Sequence, residues 1–275
     1  MTGRSAVPAL LLLLAALPAQ SATVTGQPVE GGLLFVQGAP GTTASLDGKP
    51  IPVAQNGSFL VGFHRDSPRS VVLRIREPET EEERIELQVA QREYGEQRID
   101  GLPSGLVTPP TDILQRIRDE AERVREARAA PVITPHYLNG FEWPAHGCIT
   151  GVYGTRRILN GEPRQPHYGI DLAAPRGTEV RAAGDGVVVM AERDLYFSGG
   201  TLIIAHGQGL TSTYLHLSSI AVARGDRVRK GDPVATVGST GRSTGPHLDW
   251  RFNWQNARLD PELMVPAGPN QQQCD

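Results

Sequence analysis

Short apolar runs separated by glycine and proline recur along most of this chain. Leu33-Leu34-Phe35-Val36, Phe59-Leu60-Val61-Gly62-Phe63, Val71-Val72-Leu73-Arg74-Ile75 and Ile85-Glu86-Leu87-Gln88-Val89 alternate or run apolar over strand-like lengths. Gly38-Ala39-Pro40-Gly41 reads as a turn between them, and Asp47-Gly48 and Asn56-Gly57 are hairpin signals. This spacing predicts a small β-sandwich-like domain over residues 23–100.

The pattern then changes twice. Gly101 to Pro110 is rich in proline and glycine and reads as a boundary, so 101–131 is expected to be a linker and a helix. Thr111 is placed to cap that helix, which runs to about Ala130. Ile113, Ile117, Ala121 and Val124 give it a narrow apolar stripe among arginines and acids. Such a stripe suits a solvated connector laid against one domain, with a partner helix as the alternative. Beyond Ile133 strand patterns return, at Gly186-Val187-Val188-Val189-Met190, Thr201 to His206, Thr211 to His216, Pro233 to Val237 and His247 to Phe252. Residues 132–266 are therefore expected to form an antiparallel β-sheet domain, with 267–275 as a tail. The fold class is mostly β.

The first 22 residues read as a signal peptide. Arg4 supplies a positive start, Ala6 to Ala16 an apolar run, and Ala19, Ser21 and Ala22 small residues for cleavage. The run is shorter than the roughly 18 to 20 residues a membrane span needs, so cleavage and export are expected, with no transmembrane span afterwards. Charge adds little: 27 basic residues against 30 acidic, with no basic stripe interleaved with aromatics, argue against a nucleic-acid partner. In an exported protein the two cysteines, Cys148 and Cys274, could pair across the second half of the chain; a buried Cys148 and a free terminal thiol is the alternative.

Candidate chemistry lies in the last domain. In Pro166-His167-Tyr168-Gly169-Ile170-Asp171 a histidine and an aspartate stand four apart in an otherwise apolar stretch. An imidazole and a carboxylate make two-thirds of a catalytic zinc site, which needs three protein ligands and an open position. Gly245-Pro246-His247-Leu248-Asp249 places two more polar side chains on one strand face, and Tyr214-Leu215-His216-Leu217 adds a third histidine. The candidate set is His167, Asp171, His216, His247 and Asp249. His64, His136, His146 and His206 read as structural or exposed histidines. Arg251, Trp250 and Trp254 read as lining or supporting a cleft, or as core.

These motifs resemble, in order, the M23 family of zinc metallopeptidases, the lysostaphin- and LytM-like peptidoglycan endopeptidases. The matching stretches are Trp143-Pro144 through Tyr153-Gly154, His167 through Pro175, Gly184-Asp185-Gly186-Val187-Val188, Tyr214-Leu215-His216-Leu217, Val228-Arg229-Lys230-Gly231-Asp232, Gly238-Ser239-Thr240-Gly241 and Ser243 through Leu248. The resemblance implies that His167 and Asp171 ligate Zn2+ and that His216 and His247 act on the water or the oxyanion. It also implies a peptide cross-link of peptidoglycan as substrate and an extracytoplasmic, periplasmic location.

The family's third ligand is the second histidine of an H-x-H motif, where this chain has Asp249. Asp249 could ligate the metal itself, or yield that role to His247 and orient a histidine. Alternatively the site could hold no metal and the domain act as a regulator of a cell-wall amidase or another envelope protein. Direct ligation carries the expectation that replacing Asp249 by His retains the metal.

Overall fold

The computed structural model describes residues 22–102 and 104–267; the side chain of residue 106 is not described. Residues 1–21 of the expected signal peptide and the last eight residues, Cys274 among them, lie outside them. Cys148 is disulfide-bonded. Among the described residues no helix is long and apolar enough to cross a membrane.

Seven strands precede residue 90: β1 (Thr23–Thr25), β2 (Leu33–Gln37), β3 (Thr43–Leu46), β4 (Lys49–Ile51), β5 (Ser58–Gly62), β6 (Ser70–Arg76) and β7 (Glu83–Gln88). They form two small antiparallel sheets, ordered β1-β2-β5 and β4-β3-β6-β7. Leu34, Phe59, Leu60, Leu73 and Ile75 fill the space between, so the strand-sized apolar runs become the core of this unit. Asp47 and Gly48 both have positive φ, as the tight β3–β4 turn requires.

The next strand, β8 (Glu96–Ile99), leaves this unit. It pairs in parallel with β10 (Arg156–Leu159), which also carries β11 (Glu162–Arg164). A short turn, α1 (Ser104–Val107), and a longer helix, α2 (Leu114–Arg128), follow β8. Thr111 does not cap α2. It opens a 3-10 turn, Thr111–Ile113, so the capping position of α2 falls on Ile113, whose side chain has no oxygen to accept a bond. α2 lies against the second unit. Val124 and Ala127 pack on Val189, Met190, Leu195, Ile203 and Ala205, and Arg116 and Arg123 pair with Asp194 and Glu192. This is the connector laid against one domain.

The second unit is built on an eight-stranded sheet. Its strands are β9 (Cys148–Gly151), β12 (Ile170–Ala173), β14 (Gly186–Leu195), β15 (Gly199–Gly207), β16 (Leu210–Leu217), β18 (Arg227–Val228), β20 (His247–Trp254) and β21 (Ala257–Leu259). The order is β18-β14-β15-β16-β20-β12-β9, antiparallel throughout, with β21 paired to β20. A three-stranded sheet of β13 (Glu179–Arg181), β19 (Pro233–Thr236) and β17 (Ser219–Ile220) packs beside it.

Strand alternation divides the large sheet into two faces. On β20, Leu248, Trp250, Phe252 and Trp254 enter a core shared with the N-terminal unit, whereas His247, Asp249, Arg251 and Asn253 take the other face. Trp250 and Trp254 thus support the candidate residues from beneath. Trp254 presses against Gly62, where a Cβ would come within 2.9 Å of the ring. Between the units, Tyr137 Oη donates to Gln208 Oε1 at 2.7 Å, and Gln208 Nε2 donates to the Ser58 carbonyl at 2.9 Å.

His206 is fully buried, with Nδ1 2.7 Å from the Asp185 carbonyl oxygen and Nε2 2.8 Å from Ser212 Oγ. Burial pulls its pKa down to about 4. Between the unfolded value near 6.5 and that folded value, the unfolded chain takes up a proton that the folded chain refuses. Stability should therefore fall as pH drops from 6.5 to 4, by about 3 kcal/mol from this residue. Urea unfolding at pH 7 and pH 4.5 should show a smaller pH dependence in His206→Gln than in the parent.

Candidate active site

The candidate residues reach one place from four segments. β12 supplies Asp171, and β20 pairs Asp249 directly against it in register. His167 sits just before β12, its backbone N–H donating to the Thr155 carbonyl and its carbonyl accepting from Gly154 N–H. His167 Nε2 lies 3.0 Å from Asp171 Oδ1 and 3.6 Å from Asp249 Oδ2. One atom from each residue falls within 4.8 Å of the others, and all three residues are buried. His167 Nε2 and Asp171 Oδ1 have no hydrogen-bond partner despite this proximity. Buried polar atoms are rarely left this way, and two of them converging beside a second carboxylate fit a cation's ligand set.

Both carboxylates carry a guanidinium. Arg157 Nη2 donates to Asp171 Oδ2 at 2.6 Å. Arg251 makes a fork on Asp249, Nε to Oδ1 at 2.7 Å and Nη2 to Oδ2 at 2.5 Å. Burial alone would raise the Asp249 carboxyl pKa, but Arg251 and then His167 hold it well below the usual carboxylate range. Asp171 is likewise lowered, to about 2, by His167 and Arg157 working against burial. Burial would also depress the His167 pKa; the two carboxylates outweigh it and raise it.

Two glycines make room for this cluster. A Cβ at Gly151 would collide with the Asp171 carboxylate. One at Gly169 would lie 2.5 Å from Arg251 Cγ and 2.8 Å from Asp249 Oδ1.

The two remaining histidines stand together, ring centroids 4.7 Å apart. His247 Nδ1 lies 2.8 Å from the Gly245 carbonyl oxygen and His216 Nδ1 lies 2.7 Å from that of Thr240. A carbonyl can only accept, so each Nδ1 carries a proton, and in the neutral form of either ring it is Nε2 that holds the lone pair. Burial lowers the His216 pKa to about 4, which keeps this imidazole neutral. Simple alternation would turn His216 away from Leu215 and Asp249. Instead β16 carries a bulge: the pairs Gly200↔Leu217 and Leu202↔Tyr214 leave Leu215 and His216 together opposite Thr201. The His216 backbone is left-handed, with φ 63°. That kink brings the ring to His247. A cleft of ≈ 280 Å³ opens here, lined by Asp171, His216, His247 and Arg157, and by Gln97 and Ile99 of β8.

All five sequence candidates therefore meet. The other histidines do not join them: His146 is exposed, and His64 stacks at 5.6 Å on Tyr168. Arg251 was legible as a cleft residue, since i and i+2 on a strand share a face, but not as the fork on Asp249. Arg157 carried no signal, because nothing local links it to a residue fourteen positions on.

With this geometry in view, comparison with known proteins is informative. The sequence profile of Peptidase family M23 matches residues 165–261, the segment that holds all five residues. The chain is 41% identical over 109 residues to a DD-carboxypeptidase/endopeptidase, Mpg, of Neisseria meningitidis serogroup B, covering 40% of this chain and 25% of that one. It is 47% identical over 87 residues to the peptidoglycan DD-endopeptidase ShyA of Vibrio cholerae, covering 32% and 20%. The matched stretch thus spans a quarter or less of those relatives. A solved structure from Pseudomonas aeruginosa, named for peptidase M23, superposes with a TM-score of 0.68 at 28% identity, covering 88% of this chain and 96% of that one. Over residues 165–261 the chain is thus similar to peptidase family M23.

The kink at His216 yields a stability prediction. A non-glycine residue in the left-handed region costs about 1 kcal/mol or more. His216→Gly should therefore be more stable than His216→Ala by about 1 kcal/mol in urea unfolding, since both lose the ring and only glycine relieves the backbone.

Proposed function

We propose that this protein is an exported zinc-dependent endopeptidase that hydrolyses peptide cross-links of peptidoglycan outside the cytoplasm. The observation that carries the reading is the convergence of His167, Asp171 and Asp249 around two unpartnered buried atoms, beside a pair of histidines. The names of the relatives supply the substrate class. An N-terminal stretch of signal-peptide character agrees with export, and residues 132–266 are proposed as the catalytic unit.

In this reading His167, Asp171 and Asp249 hold the metal. Zinc, when bound, supplies the Lewis acidity that makes water acidic near neutral pH and polarises a carbonyl. One of His216 and His247 accepts the proton of the attacking water on the Nε2 lone pair that its Nδ1 hydrogen bond leaves free. The imidazole that has taken the proton then presents an N–H to the tetrahedral oxyanion and to the leaving amine. Thr240 and Gly245, through their carbonyls, fix both rings while this happens. Leu215 and the buried strands beneath keep bulk water from the inner side of the cluster.

Purified protein should contain about one zinc per chain, by analogy with mononuclear catalytic sites. It should release peptide fragments from isolated peptidoglycan, seen by chromatography of the digest. His167→Ala should lose both the metal and the hydrolysis while remaining folded by circular dichroism. Hydrolysis undiminished in His167→Ala, or a protein that stays inactive on peptidoglycan with added zinc or manganese, would remove the enzymatic reading. The latter would leave the domain as a regulator of another envelope protein.

A further inference from the structure

The carboxylate at the third-ligand position is not an ordinary aspartate. Arg251 stands two residues further along the same strand, so its side chain rises from the same sheet face and closes on both oxygens of Asp249. The Asp249 side chain is 2% exposed and the Arg251 side chain 24%. Two parallel N–H···O bonds of this kind are the strongest and most directional pairing a carboxylate makes. Each carboxylate oxygen has two lone-pair sites, so a fork that takes one on each oxygen leaves the others free toward His167 and Asp171.

A charge count gives this fork a meaning. A set of His167, Asp171 and a bare Asp249 would present two negative charges and cancel those of a divalent ion. Its bound water would then be less acidic and its hold on an oxyanion weaker. Arg157 offsets Asp171 whichever residue stands at position 249. With Arg251 included, the Asp249 side is neutral as well, so the set carries the charge it would have with an imidazole at that position.

We propose that Asp249 and Arg251 act together as a single neutral ligand, with Arg251 as the positioning and charge-compensating residue that lets a carboxylate take the place of a histidine. This rests on the metallopeptidase reading above. It also changes what Asp249→His should do. That swap leaves the Arg251 guanidinium buried without its carboxylate and places an uncompensated positive charge beside the metal. Breaking a buried pair from one side is strongly destabilising, whereas replacing both partners is not.

The test is a double-mutant cycle read by zinc affinity, using chelator competition on the full chain, with folding followed by circular dichroism. In the parent background Arg251→Gln should weaken zinc about tenfold, within the range for groups that orient a ligand. Asp249→His alone should weaken zinc by about 10- to 100-fold. Adding Arg251→Gln to Asp249→His should restore zinc binding, so the same substitution acts in opposite directions in the two backgrounds. A merely structural arginine would act in one direction in both, and that outcome overturns the proposal. Arg251→Lys keeps the charge without the fork and should not rescue Asp249→His; rescue by lysine also overturns it. Should Asp249→His fail to fold, the restoration is read as recovery of folded protein in the double variant, and continued failure counts against the pair. A parent protein that holds no zinc removes the metallopeptidase reading and this one together. A zinc-loaded parent with same-direction effects removes only this one.

Discussion

Asp171 and Asp249 face each other across two hydrogen-bonded strands toward one end of a sheet. Like charges directly opposite on neighbouring strands are destabilising, and burial makes the repulsion worse. Much of what surrounds the pair answers that repulsion. Arg157 reaches in from the β10 ribbon, Arg251 from two residues along β20, and the His167 imidazole lies between the carboxylates. Gly151 and Gly169 leave the space the side chains occupy. The register of β12 against β20 is tied to this cluster, because a one-residue slip of either strand would send its aspartate into the apolar core and bring an apolar neighbour to the site.

The unequal treatment of the two carboxylates is informative. Asp171 keeps one oxygen without a hydrogen-bond partner, while both Asp249 oxygens are engaged. The two residues offer different numbers of free lone pairs to whatever binds between them, although they are chemically identical and adjacent. On the other side of the cleft both histidines are tied through Nδ1 to backbone carbonyls of the segment between Gly238 and His247. That segment thereby sets the orientation of two rings from different strands.

Much of this was legible in the chain. The apolar runs of residues 33–89 become β2, β5, β6 and β7, because a half-buried strand shows its core face every second residue. The second unit's glycine-punctuated runs become the antiparallel sheet for the same reason. His167, Asp171, His216, His247 and Asp249 could be picked out together because spacing and motif order mark them. Features set by distant contacts were not legible. The bulge at His216 depends on β15 opposite, and Arg157 finds Asp171 only after β10 folds back. β8 has no apolar period: Glu96-Gln97-Arg98-Ile99 reads as a loop until a partner strand supplies its hydrogen bonds. The start of α2 moved because Thr111 is taken up in a 3-10 turn, which leaves Ile113 at the capping position.

That unremarkable strand bears on how separable the site is. β8 belongs to the chain before α2, yet it completes the edge of the ribbon that holds Arg157 against Asp171, and its Gln97 and Ile99 form part of the cleft wall. The segment matched by the family profile begins well after it, at residue 165. Excised at that boundary, the sheet would lose β9, β10 and β11, leaving Asp171 without Arg157 and β12 as a bare edge, the kind that recruits other strands. The chain before α2 is thus bound into the site's construction, and the segment matched by the family profile is not a portable module at its own boundaries.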